Sequence, residues 1–298
     1  MRWLVHLLVM FSRLRLFRRK YKLGIHRDNL VLDVGSGNDP HPRADVLCDF
    51  SLTGDWERAG PIVRHGRPLV VGDITNLPFI GGAFDYVICS HTLEHVASPE
   101  RAIRELMRVG RRGYIETPSE FTEKLSSFPF HKWFVRLEHD MLIFRRKSGP
   151  CFDPLLSSHF FSMWNQRDPY FLLWSFNSAD RGLVQYHWTR EIKYLIEDDQ
   201  PENYWDVPEI EEPAASTRKE GVISPLRRGL KWMIRSFYST TATPHRRKIG
   251  SSLLSLLRCP NCCASLNRQQ EILICPLGHS FPLVDGCPVL LAESSSTT

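Results

Sequence analysis

Apolar residues between Asn29 and Pro118 fall in short, nearly unbroken runs, each stopped by an acid, a serine or a proline: NLVLDV, ADVLCDF, PLVVGD, FDYVICS and RGYIETP. Runs of this length and density predict strands buried on both faces, as in a parallel sheet. One segment between the last two runs has helical spacing instead. In SPERAIRELMRVG, Ser98 is placed to cap, Glu100 lies in the first turn, and Ala102, Ile103, Leu106 and Met107 share a face. The alternation predicts the α/β class: a doubly wound, mostly parallel sheet whose ligands gather at the C-terminal strand ends.

The flanks are patterned differently. In MRWLVHLLVMFSRLRLFRRKYKLG an apolar stretch from Trp3 to Phe11 precedes a basic one. It falls far short of the roughly 20 residues a membrane span needs. Its charges follow the apolar run and no small-residue cleavage site appears, which argues against a signal peptide. An amphipathic helix is expected, with two placements: packed on the next domain, or lying in an anionic membrane surface with Trp3, Leu7 and Phe11 buried and the arginines at headgroups. From Phe121 to about Asp199 the chain is rich in aromatic residues and histidine. There MLIFRRK predicts a late strand, and the aromatics are expected to form core rather than an exposed lid. Gln200 to Ser251 reads as a linker, within which SPLRRGLKWMIRSFYS predicts a second basic amphipathic helix capped by Ser224 and Pro225.

A chain of 298 residues with 42% apolar and 24% charged content is long enough for one main domain and a smaller unit. The net charge of +5 is mild but segregated. Arg2 to Arg27 holds eight basic residues and no acid, Glu197 to Glu212 eight acids and no Lys or Arg, and Ser216 to Ser251 nine basic residues against Glu220 alone. Five of the eight cysteines lie in the last forty residues. That clustering points to a metal site rather than a disulfide framework, and so to a reducing, cytoplasmic compartment.

The first strand runs into DVGSGNDPHPRAD. A dinucleotide loop would need a third glycine and a helix N-terminus, but here the glycine is absent and Pro40 and Pro42 interrupt the helix. Asp33-x-Gly35-Ser36-Gly37 instead resembles motif I of class I S-adenosylmethionine-dependent methyltransferases, specifically the type 11-like branch. The resemblance implies a bare turn at Gly35, Ser36 and Gly37 past which the methionine part of the cofactor runs, with Asp33 orienting the loop or meeting the amino group. It continues through Asp49, implied to bind the ribose hydroxyls, and Asp73, implied to meet the adenine amino group beside Ile74. The fourth motif, GGAFDYVICSHTLEHV, places Ser90 and His91 at a strand end with Glu94 and His95 one turn on. Together the motifs cover roughly Asp28 to Thr117 in the family's order. The departure is the short gap from Gly37 to Asp49, where NDPHPRAD replaces the first helix and sets Asp45 in competition with Asp49 for the ribose role. This loop is similar to those of some bacterial methyltransferases of glycans or other small acceptors.

The tail holds Cys259-x2-Cys262, twelve residues, then Cys275-x3-His279. Two such knuckles converge on one tetrahedral ion, and a Cys3His set closes it, so the expected ion is a structural Zn2+. The flanking EILIC and FPLVDGCPVLL predict a small β ribbon that needs its metal to fold. It resembles the zinc ribbon of the small activator subunit of tRNA and protein methyltransferases. Cys263 and Cys287 are spare; the second is expected to pack.

Methyl transfer to a hydroxyl needs a base. The candidates are His91, His95, Glu116, His131 and His139, with His91 best placed and His95 next. No Asn/Asp-Pro-Pro-aromatic tetrapeptide and no Pro-Cys nucleophile ends the fourth strand, which counts against nucleobase chemistry. The expected function is a methyltransferase of a small-molecule or glycan-like acceptor, with an anionic membrane face as a candidate partner. An RNA methyltransferase and a non-catalytic adaptor presenting the ribbon are the alternatives. The expected organisation is a basic helix over 1–27, the methyltransferase domain over 28–199, a linker over 200–250 and the ribbon over 251–294, with no inference about oligomeric state.

Overall fold

A computed structural model describes residues 2–53, 60–126, 128, 130–147, 154–197 and 249–292. Helix α1 (Arg2–Tyr21) precedes a sheet in which β1 (Val31–Val34), β2 (Val46–Asp49), β3 (Leu69–Val71), β4 (Tyr86–Ser90) and β5 (Arg112–Pro118) run parallel. A sixth strand, β8 (Leu183–Thr189), joins antiparallel to β5. The order β3-β2-β1-β4-β5-β8 reverses direction of growth between β1 and β4. That is the switch point at which a doubly wound sheet opens a crevice beyond its strand ends. The expected fold class is present, and the strands are short and buried because both faces are covered.

Helix α2 (Pro99–Val109) is capped as its sequence demands, Ser98 Oγ accepting from the Arg101 amide at 3.4 Å. Its buried face is Ala102, Ile103, Leu106 and Val109, with Met107 partly buried against the same core. No helix forms between β1 and β2. Residues 38–45 are turns, held by Arg67 Nη1 donating to the His41 carbonyl at 2.7 Å and Arg43 Nη2 donating to the Asn29 carbonyl at 2.9 Å.

MLIFRRK is a strand, as expected, but not one of the main sheet. It forms β7 (Met141–Arg146), the centre of a second sheet with β6 (Trp133–Glu138) and β9 (Tyr194–Glu197). The expected aromatic core holds for Trp133, Phe134, Phe144, Tyr186 and Trp188, which are buried. It fails on the intervening helices α4 (Pro154–Gln166) and α5 (Pro169–Asn177), where Trp164, Tyr170 and Trp174 are exposed. Helix α5 packs on α1 and on α4, and α4 packs in addition on the short helix Glu120–Leu125, rather than on the sheet. Helix α1 rests on α5 through Ser12 Oγ and Arg15 Nη2, which donate to Asn177 Oδ1 at 3.0 and 3.2 Å. Its residues Trp3, Leu7 and Phe11 stay exposed. The basic helix expected between Ser224 and Ser239 lies outside the described residues.

At the end of the chain α7 (Ile249–Leu256) leads into an antiparallel ribbon of β10 (Asn267–Gln269), β11 (Ile272–Ile274), β12 (Ser280–Val284) and β13 (Cys287–Pro288). The ribbon covers the β3 edge of the main sheet. Val289 bridges Val71, and the Leu290 amide donates to the Val71 carbonyl at 2.8 Å, so an otherwise open edge is paired. Leu257, Cys259, Leu266, Leu273, Phe281 and Leu290 belong to the same buried cluster as Leu32, Val70 and Phe79. Cys287 packs as expected, buried with Leu47 and Leu69.

Candidate functional site

The strand ends bring the candidate cofactor residues together. After β1 the chain turns through Gly35 and Gly37 at φ +69° and +49°, a region that glycine alone enters freely. A Cβ on Gly35 would meet Thr92 Oγ1 at 2.0 Å, so the turn passes directly against the loop after β4. Asp33 orients this loop, Oδ2 accepting from the His41 amide at 2.7 Å. Asp49 Oδ2 accepts from the Gly37 amide at 2.8 Å, so acids near the ends of β1 and β2 brace the loop at His41 and at Gly37. Asp45 does not compete with it. It stands before β2, accepting from the Val31 amide at 3.0 Å and pairing with Arg43, at the opposite end of the sheet. Asp73 caps the 3-10 turn Ile74–Asn76 by accepting from the Thr75 amide at 2.7 Å, and Ile74 is buried behind it. The Ser36 hydroxyl is buried without a protein partner, an unsatisfied polar group beside the turn of the kind a bound ligand accounts for.

Next to this turn, β4 ends at Ser90, opposite Glu116 in register. His91 follows at φ +54°, its ring 3.5 Å from Glu116 Oε1 and 3.6 Å from Glu94 Oε1. Partial burial of the His91 ring, whose side chain is 47% exposed, by itself would lower its proton affinity. Contacts with the Glu116 and Glu94 carboxylates outweigh it, and the pKa is pushed up to about 9. Glu116 is held in turn by Tyr114 Oη, donating at 2.5 Å, and Gln185 Nε2, donating at 2.8 Å. Tyr114 and Gln185 line a cavity of about 620 Å³ under α1, with Phe11, Leu14, Arg15, Lys22 and His187. His95 and His131 meet on the other side of Glu94, their ring centroids 4.6 Å apart. His139 is not brought in; it occupies the exposed turn of the β6–β7 hairpin.

In the ribbon, Cys259, Cys262, Cys275 and His279 present ligand atoms within 4.8 Å of one another. Cys262 and Cys275 sulfurs are 3.6 Å apart, and His279 Nδ1 lies 3.2 Å from Cys275 Sγ and 3.7 Å from Cys259 Sγ. A tetrahedral ion with metal–sulfur bonds of ~2.3 Å and a metal–nitrogen bond of ~2.0 Å requires edges of about 3.5–3.8 Å, so the set fits. Cys263 is exposed, at φ +61°, and outside this set.

Sequence reading missed three residues. Thr92 closes the glycine turn, Glu123 orients His131, and Arg258 bridges the ribbon to the turn after β3. Thr92 and Arg258 act across long sequence separations and Glu123 across eight residues, and only Thr92 lies inside a recognisable motif.

Comparison with known proteins places part of the chain beside methyltransferases. The family described as "Methyltransferase domain" matches residues 55–115. The demethylmenaquinone methyltransferase of Paenarthrobacter aurescens is 36% identical over 98 residues, covering 31% of this chain and 38% of that protein. The same-named protein of Beutenbergia cavernae is 34% identical over 119 residues, covering 36% and 48%. The chain thus spans less than half the length of these relatives. A SAM-dependent methyltransferase of Thermotoga maritima is 16% identical, covering 57% of this chain and 65% of that one with a TM-score of 0.29. The protein carries a domain of the methyltransferase class, on a doubly wound sheet.

Proposed function

We propose that this protein is an S-adenosylmethionine-dependent methyltransferase of a small, hydroxylated acceptor, braced by a structural zinc ribbon. The carrying observation is the turn at Gly35, Ser36 and Gly37, pressed against Thr92 and flanked by Asp49 and Asp73 at adjacent strand ends. S-adenosylmethionine supplies the electrophilic methyl group. The chain's part is to hold the cofactor with Gly35, Ser36, Gly37, Asp49, Asp73, Ile74 and Ser90, and to align the acceptor. His91 is the base: its paired carboxylates raise its affinity for a proton, so it acts in the neutral form that grows as pH rises towards about 9. His95, the second candidate, lies behind Glu94 and supports the site from there. The 620 Å³ cavity is of the size that takes a small molecule, and small-molecule acceptors are what the demethylmenaquinone methyltransferases are named for. Cys259, Cys262, Cys275 and His279 hold Zn2+ with no coordination position left for a substrate.

One observation favours a membrane-side acceptor. Trp3, Leu4, Leu7, Leu8, Met10 and Phe11 are all exposed on a helix whose charges are basic only, the combination that an anionic interface retains. Among the described residues no helix is long and apolar enough to cross a membrane.

The test is calorimetric titration of the zinc-loaded protein with S-adenosylmethionine beside a Gly37→Trp control. Binding by the wild type alone supports the enzyme. Absence of binding by a folded wild type overturns it and leaves a ribbon-presenting adaptor.

A further inference from the structure

We infer that Glu94, His95 and His131 form a second metal site, for a divalent first-row transition ion, beside the methyl-acceptor position. Its chemical use rests on the methyltransferase reading; its existence does not.

The three side chains offer one oxygen and two nitrogens, all within 4.8 Å of one another. An ion bound at ~2.1 Å draws such atoms to roughly 3–3.5 Å apart, a closure within reach of small side-chain adjustments. Glu94 is 1% exposed, and neither of its carboxylate oxygens accepts a hydrogen bond. Its nearest cationic neighbour is His91 Nδ1, at 3.6 Å. A buried carboxylate is costly when its nearest partner is a half-exposed imidazole 3.6 Å away, and a bound cation would supply a stronger one.

His131 is prepared as a ligand. Its Nδ1 donates to Glu123 Oε1 at 2.5 Å, and Glu123, itself fully buried, is paired with Lys147. With Nδ1 occupied, Nε2 is the nitrogen left to bind, in the carboxylate–histidine–metal arrangement that fixes both tautomer and ring orientation. His95 is stacked on Phe130 at 5.5 Å and stands edge-on to His131. The segments are joined next to the ligands, where the Lys132 amide donates to the Glu94 carbonyl at 2.7 Å.

Two imidazoles and one carboxylate make a set unlike the thiolate ribbon, and they leave coordination positions open. Glu94 lies 3.6 Å from His91, so an ion held on Glu94 would stand one side chain away from the base. An ion there would acidify the acceptor hydroxyl before methyl transfer.

The experiment uses the full chain with its ribbon zinc in place. Mn2+ is titrated and followed by electron paramagnetic resonance of the free ion, and bound Zn2+ is counted by elemental analysis after gel filtration. One equivalent of either ion beyond the ribbon's is expected. Glu94→Gln and His95→Asn should each abolish it, while Glu123→Gln, a positioning change, should weaken it about 10- to 100-fold. Circular dichroism identifies the variants that fold. No extra equivalent of either ion in the wild type, or full binding in a folded Glu94→Gln or His95→Asn, overturns the site. S-adenosylmethionine is titrated into the same samples. Cofactor binding without the extra ion overturns the metal site alone, and the ion without cofactor binding overturns the methyltransferase reading alone.

Discussion

Arg258→Ala tests whether the ribbon is a structural part of the cofactor site. Arg258 opens the ribbon, and its amide donates to the Pro78 carbonyl at 3.0 Å. Its side chain reaches the Leu77 carbonyl, Asn76 Oδ1 and Glu105 Oε2, each at 3.3 Å, and is 14% exposed. Asn76 returns a bond, Nδ2 donating to the Pro260 carbonyl at 2.9 Å. The 3-10 turn capped by Asp73 is thus held from behind by the ribbon. Good hydrogen bonds to charged groups are worth ~1.5–3 kcal/mol each, but these are long and Glu105 keeps Arg108, so the combined loss is roughly 2–3 kcal/mol. For a protein of this size that lowers the thermal midpoint by about 3–5 °C. Scanning calorimetry should show one transition, shifted as a whole, and affinity for S-adenosylmethionine should fall several-fold although Arg258 does not line the glycine turn. Asn76→Ala combined with Arg258→Ala should lose less than the sum of the two, with a coupling of about 0.5 kcal/mol or more. A ribbon melting separately, with the main transition unmoved, would refute the shared core.

Three further outcomes follow from the same geometry. Gly35→Val should abolish detectable cofactor binding in calorimetry, because its Cβ would fall on Thr92 Oγ1 at a backbone angle that valine resists; unchanged affinity would remove the turn from the site. Cys262→Ser should lower the zinc content by one equivalent per chain and, by loosening the cover on β3, lower the main thermal transition as well; loss of zinc with the transition unmoved would make the ribbon a passive appendage. Trp3→Ser with Phe11→Ser should reduce sedimentation with phosphatidylglycerol vesicles at least tenfold, since both side chains are exposed; equal sedimentation would discard the membrane face.

How much of this was legible beforehand depends on the range of the interaction. Strands β1 to β5 and helix α2 could be read because a buried strand or a capped amphipathic helix writes its own local pattern. The glycine turn was legible for the same reason, as were the knuckles that bring Cys259 and Cys262 together. The competition between Asp45 and Asp49 was not. Only three residues separate them, but the direction of β2 puts one at each end of the sheet.

The amino-acid sequence by itself determined the doubly wound sheet, the strand-end motifs and a Cys3His set with tetrahedral spacing. These depend on neighbours along the chain. Tertiary structure alone decided that the ribbon seals the β3 edge, that Trp164 and Trp174 face outward, and that Glu123 aims His131 at Glu94 and His95. Those outcomes depend on which surfaces meet after folding. A hydrophobic pattern states that a residue seeks cover, but the partner that supplies it is chosen by packing across the whole chain.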